Sequence, residues 1–276
     1  HPMADKNSIH LLYRTLFDHS KHLLGYSLFT RILVYLLGII VLVFIPTFQQ
    51  LPFLVAIFSM ISELLQWRSE YIKSIAESLL RKFEYHDGFG WPILKLEISD
   101  ILARVPVNIR KSIPSQDPDY QYFESKEVVG PKRVIENLIE SAWWSKHLSE
   151  TAIHVFLTIT LLTIIGSLAI LIISIETVQN YSILTNVSRI VTSTLLLLFS
   201  LRLIRNTVDY YSLNRKAGQI ETKANDILQS QNFDKDQILK VLIEYQFVRN
   251  SSPLIPTWIW KARRETLTDL WKISNE

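Results

Sequence analysis

The chain contains no cysteine. Disulfides and thiolate metal sites are therefore excluded, and cysteine usage carries no information on redox compartment. Glycine and proline are sparse, 7 and 10 in 276 residues, so long stretches lack any helix breaker. Lysine and arginine are missing from two short connections, Pro46–Pro52 and Glu176–Ser188. Chemical signatures are missing as well: there is no Walker loop, GxGxxG, HExxH or GxSxG, and no paired-acid motif in a plausible site. An enzyme is not expected, and no cofactor or metal is implied. His19 and His22 stand three apart, but no third ligand is near, so two exposed histidines are the expected reading. The net charge of +3 is too small to suggest binding to a DNA or RNA polymer. His1-Pro2 ahead of Met3 reads as an appended dipeptide and is left out of the fold reasoning.

What the chain does have is apolar sequence gathered into runs. Hydrophobic residues make up 48%, and mean hydropathy is +0.17 despite 20% charged residues. About 20 apolar residues cross about 30 Å of hydrocarbon. Leu28–Phe48 meets that length, and Phe53–Trp67 is shorter but continues without Pro or Gly to Asp87. Ala152–Ile175 and Ile183–Ile204 follow. The expected fold is an all-α membrane protein with four transmembrane helices, several of them extended into a helical cytosolic domain. The expected organisation is a cytosolic amphipathic segment (1–27), a first transmembrane hairpin (28–67), a cytosolic helical insert (68–151), a second hairpin (152–204) and a helical tail (205–276). No signal peptide fits, since the first apolar run is too long and is followed at once by a second. The fourth span lacks breakers until Gly218 and is expected to run on into water. The charged second half of the second helix is expected to do the same. In the tail, Asp234–Asn250 reads as an amphipathic helix with Ile238, Leu239, Leu242 and Phe247 as its main apolar positions.

Because the two lysine- and arginine-free connections fall on one side, the positive-inside rule puts both termini and residues 68–151 in the cytoplasm. Within the spans, Arg31, Glu63, His154 and Arg202 fall at similar depth, which predicts an inner polar layer with Arg31–Glu63 as its pair. Snorkelling of the arginines to headgroups is the alternative. Thr160, Thr163, Ser167 and Ser174 make a polar stripe on the third span; Arg189, Ser193 and Ser200 make one on the fourth. These stripes either pack helix on helix or line a pore once subunits assemble. The first span has few polar residues and is expected to face lipid.

The block around which the rest is organised is Gly130–Leu148, GPKRVIENLIESAWWSKHL. Pro131 suits a first helical turn, and no breaker intervenes before Gly166, so one helix is expected to begin in water and end in the third span. Lys132–Leu148, the DGFGW at Asp87–Trp91 and SPLIPTWIW at Ser252–Trp260 resemble the SMODS-associated four-transmembrane effector family, within the wider SLATT-like group. The resemblance covers most of the chain. It implies a pore-forming effector of bacterial anti-phage defence (cyclic-nucleotide signalling of the CBASS type) in the bacterial inner membrane. A neighbouring nucleotide cyclase would supply a cyclic nucleotide or oligonucleotide; its binding to the cytosolic part would trigger membrane disruption. The partners implied are thus the lipid bilayer, that ligand and further copies of the chain in a homo-oligomer. The resemblance carries no ligand residues with it.

Residue chemistry alone suggests candidates, because such a ligand needs cations for phosphate and flat rings for bases. Arg133 and Trp144 share a helical face with Asn137 between them, Lys132 sits at the helix N-terminus, and Arg81 and Trp91 lie at the end of the second helix. Equally, Arg133 pairs along its own helix and the tryptophans pack a core. A passive membrane scaffold and a constitutive small ion channel are the competing functions.

Overall fold

The computed structural model describes residues 6–44, 51–111, 123–231 and 233–274, and every regular element among them is helical. Residues 46–50 of the expected turn, the DPDYQY stretch and the side chain of Ser200 lie outside the described residues. The helices are α1 (Lys6–Phe44), α2 (Leu51–Phe89), α3 (Lys95–Arg104), α4 (Val107–Lys111), α5 (Pro131–Thr177), α6 (Tyr181–Ser200), α7 (Leu203–Ser230), α8 (Lys235–Ser251) and α9 (Thr257–Ser274).

Local chemistry sets most of the boundaries. α2 ends where Gly90 adopts φ +71, the left-handed conformation that glycine takes without penalty. Gly90 N donates to His86 O (3.0 Å), the bond of the αL cap, and Trp91 N to Tyr85 O (3.4 Å), so carbonyls of the last turn are satisfied. Asp234 caps α8 through Asp236 N (3.3 Å) and Asn180 caps α6 through Ser182 N (3.0 Å), each replacing a missing helical acceptor.

Several elements differ from the sequence expectation. α1 is one helix from Lys6 to Phe44, without a break between an amphipathic segment and a span. Gly25 and Gly38 sit inside it with open space around them, so they cost some propensity but force nothing. The expected unbroken run to Gly218 is interrupted at Leu201–Arg202, where Arg202 takes φ 54. No Gly or Pro marks that break, and a left-handed arginine costs on the order of 1–2 kcal/mol that the surroundings must offset. α4 was not expected.

The chain divides into two compact units. The first comprises the start of α1 to Lys21, Ser69–Thr151 and the chain from Tyr210 onward. Its core joins Val134, Ile135, Leu138 and Ala142 of α5 to Leu213, Ile220, Ala224 and Ile227 of α7 and Ile238, Val241, Leu242, Tyr245 and Val248 of α8. The α7 positions are spaced seven, four and three residues apart, multiples of the helical period that keep one face buried. Each large apolar side chain so buried contributes about 1.5–3 kcal/mol. In α8, Phe247 is 67% exposed and Tyr245 is buried instead, a correction to the expected apolar face. The second half of α2 does not simply project into water either: Ile72, Ala76, Leu79 and Phe83 are buried, and so are Glu77 and Glu84.

The second unit comprises His22–Arg68 and Ala152–Asp209. Here the usual polarity is inverted. On α5, Thr160, Ser167 and Ser174 are 6%, 5% and 9% exposed, whereas Leu162, Ile165, Ile170, Ile172 and Ile173 are largely uncovered. Two helices are long and apolar enough to cross a membrane, over Ile9–Ile39 and Pro131–Thr177. Only 11% and 17% of their most apolar windows are buried, so these helices leave large apolar faces uncovered, the kind of surface that marks a membrane or protein interface. α1 also carries more polar contacts than expected. Ser27 and Ser62 each donate to the other's backbone carbonyl, at 2.9 and 3.1 Å, and Tyr35 OH meets Thr194 Oγ1 on α6 at 2.5 Å.

Candidate functional site

Two polar assemblies stand out, one in each unit. In the first unit the centre is Asp87, in the last turn of α2 and 4% exposed. Arg133 grips it with both edges of the guanidinium, Nε to Oδ2 and Nη2 to Oδ1, each at 3.0 Å. Asn137, one turn further along α5, adds Nδ2 to Oδ2 at 2.9 Å. Arg133 Nη1 then donates to the carbonyls of Ser125 (3.2 Å) and Glu127 (2.9 Å), drawing that extended segment against α5. Lys132 pairs with Glu127 (2.5 Å) and Ser125 Oγ donates to Glu136 (2.5 Å). Bidentate, charge-assisted bonds of this kind are among the strongest polar contacts a protein makes.

The glycines beside Asp87 serve the same junction. Gly88 O accepts from Gly130 N at 2.8 Å. A Cβ on Gly88 would meet Val134 Cγ2 at 2.4 Å, so α2 and α5 approach here more closely than any side chain allows. Trp91 then folds back: its ring centroid lies 5.2 Å from Phe89 and 5.3 Å from Tyr85, and Lys235 Nζ stands 5.2 Å over its face. DGFGW and GPKRVIEN, 46 residues apart between Asp87 and Arg133, are thus the two halves of one clamp.

Behind the clamp lies a buried charge cluster that sequence reasoning missed. Arg249 of α8 donates to Glu77 (3.0 Å) and Glu84 (2.5 Å) of α2. Gln246 ties Glu84 Oε2 (2.8 Å) to Tyr85 OH (2.9 Å). Burial alone would pull Arg249 down, but Glu77 and Glu84 outweigh it and hold the guanidinium firmly charged. Lys73, lowered by burial against the opposing pull of Glu77, donates to the carbonyls of Asn250 and Ser252. The available signal was the seven-residue spacing of Glu77 and Glu84 along the buried α2 stripe. Nearby, burial pushes the Glu140 carboxyl up to about 7, although it accepts the Glu124 backbone N–H at 3.0 Å.

A small cavity adjoins both groups, lined in part by Glu84, Asn137, Ser141 and Tyr245. Its volume is about 10 Å³, room for about one water. Asn137 Oδ1 is buried without a protein partner.

The six candidate ligand residues therefore fall into different places. Lys132, Arg133 and Asn137 converge on the clamp, and Trp91 stacks beside it. Trp144 packs edge-on to Trp143 at 5.7 Å, and Arg81 is half-buried on α2; both lie outside that cluster.

In the second unit, Arg31 is 5% exposed. Its Nε donates to Ser62 Oγ (2.9 Å), and Nη2 to Glu63 Oε1 (2.6 Å) and to Gln66 Oε1. Arg202 Nη2 approaches Glu63 Oε2 at 4.0 Å. Three of the four residues assigned to one polar layer thus meet at Glu63, while His154 is exposed on α5. Of the two hydroxyl stripes, Thr160, Ser167 and Ser174 are buried and Thr163 returns its hydroxyl to Ile159 O (2.8 Å). On α6, Arg189 is exposed and Ser193 half-buried. Among the described residues no group of three potential metal ligands forms.

No family model matches the chain, and neither a curated protein nor a solved structure matches it.

Proposed function

We propose that this chain is a four-span membrane effector whose cytosolic unit binds a cyclic nucleotide and whose membrane unit then permeabilises the bilayer. One observation carries the membrane half of this reading: on α5 the hydroxyls are buried and the isoleucines uncovered. That pattern suits surroundings of hydrocarbon, which accommodates the isoleucines and not the hydroxyls. In this reading α1, α2, α5 and α6 supply the spans, both termini lie in the cytoplasm of a bacterial cell, and copies of the chain assemble around the permeation route. The sensing half draws on the resemblance to the anti-phage effector family and on the cationic start of α5.

A second reading, a membrane scaffold that anchors partner proteins, draws on the clamp itself. Arg133 already makes four hydrogen bonds within the protein, and a cavity of about 10 Å³ is far below the roughly 300 Å³ at which ligand pockets begin. Liposomes carrying the purified protein and a trapped dye separate the two. Dye release only with a cyclic di- or trinucleotide is the expected result. No release with any of them favours the scaffold, and unconditional release marks a constitutive channel.

A further inference from the structure

We infer that the permeation route of the membrane unit selects small anions and that Arg189 sets this selectivity. The inference rests on the pore-forming reading above and supplies the permeating species that reading leaves open.

The argument starts from which polar face each helix leaves uncovered. The α5 hydroxyls Thr160, Ser167 and Ser174 are turned into the packed interior of the unit. They are spent on packing within one copy. On α6 the relation is reversed. Ser182, Arg189 and Thr192 are exposed and Thr185 is half-buried. Their spacings of three, four and three residues put all four on one side of the helix. Ser182 returns its hydroxyl to Asn180 Oδ1 (2.8 Å) and Thr185 to Tyr181 O (2.9 Å), so the group on this face that lipid leaves unsatisfied is Arg189, whose charge must meet water, headgroups or another copy.

Arg189 dominates that face. Tyr181–Ser200 contains no other charged residue, and among the described residues Arg189 meets no hydrogen-bond or ion-pair partner. A guanidinium stays charged in any surroundings. It stands about 12 Å along the helix from Tyr181, toward the outer end of the span that the proposed topology gives α6. The acids of this unit are placed elsewhere. Glu63 serves Arg31 and Arg202, Asp209 serves Arg205 at 3.6 Å, and Glu176 is exposed near the end of α5. Among the described residues no acid pairs with Arg189 on the α6 stripe. Repeated around an assembly, it gives a ring of fixed positive charge with low-dielectric walls, and such a ring concentrates anions and repels cations.

The absence of cysteine makes the test direct, because a single introduced thiol is the only one in the chain. Thr192→Cys is made in the native chain and again together with Arg189→Gln, reconstituted in liposomes, and treated with membrane-impermeant methanethiosulfonates of either charge. After correction for intrinsic reactivity, the anionic reagent is expected to react several-fold faster than the cationic one when Arg189 is present, and at a similar rate when it is Gln. A Thr192→Cys thiol that stays unreactive while Tyr181→Cys reacts overturns the inference, since the face is then dry. A reagent preference that survives Arg189→Gln overturns it too. Vesicles loaded with potassium chloride separate the two levels of the claim. Release that favours potassium over chloride overturns the selectivity and leaves the pore. No release under any cyclic nucleotide overturns the pore, and the selectivity with it.

Discussion

Asp87 shows how one carboxylate organises a junction. It is 4% exposed and receives three hydrogen bonds from two residues one helical turn apart. Asp87→Asn leaves Arg133 without its counter-charge in a poorly hydrated position, and is expected to destabilise the first unit by about 3–5 kcal/mol. Arg133→Lys is expected to cost nearly as much, because an ammonium cannot reproduce the two-pronged geometry. Chemical denaturation of the solubilised protein measures both; a Lys variant as stable as the native chain would show that charge alone suffices. Glu140 carries a different consequence. Its carboxyl is held up at about 7 from 4.5, first by burial. Between those values the folded protein keeps a proton that the unfolded chain has lost, so stability falls as pH rises through the window. Glu140→Gln removes this loss. Above the window it should exceed the native chain by up to about 3 kcal/mol, whereas near pH 4.5 and below the two should converge. Thermal midpoints measured across that range check the sign.

At the scale of elements, α5 is the one to perturb. It is a single helix from Pro131 to Thr177 and is unbroken through Ser149–Thr151, where the chain passes from one compact unit to the other. Each residue placed in a continuing helix adds one hydrogen bond, and glycine weakens it by roughly 1 kcal/mol relative to alanine. If α5 carries the signal, two glycines inserted between Ser149 and Thr151 should leave membrane insertion intact and abolish ligand-triggered dye release. An insertion variant that still releases dye on ligand would remove α5 from the route. Such a helix was readable in the sequence because nothing breaks it: Gly130-Pro131 opens it, and the next glycine, Gly166, has open space around it. The break between α6 and α7 was not readable. Its turning residue is Arg202 at φ 54, and local propensity gives no hint that an arginine will adopt a left-handed conformation.

For the molecule as a whole, what decides the reading is the kind of solvent each part faces. The first unit buries leucines, isoleucines and tyrosines, and its buried charges are cross-linked to one another. The second buries several serines, Thr160 and an arginine, and leaves many of its aliphatic side chains uncovered, although Val191, Leu198 and Leu203 are buried. Composition and periodicity alone determined the all-helical class, the long apolar helices and some helix ends, such as those at Gly90 and Asp234, because these depend on neighbours within a few residues. They also supplied the blocks DGFGW and GPKRVIEN, but not the fact that each completes the other. That pairing joins residues 46 apart in sequence, and no local rule says which carboxylate an arginine will find. The same holds for Glu77 and Glu84, which belong by charge to a wet surface and are buried only because Arg249 arrives from α8. Which face of α5 and which face of α6 stay uncovered was likewise settled by tertiary packing, since a polar stripe on an isolated helix has no inside until other helices are laid against it.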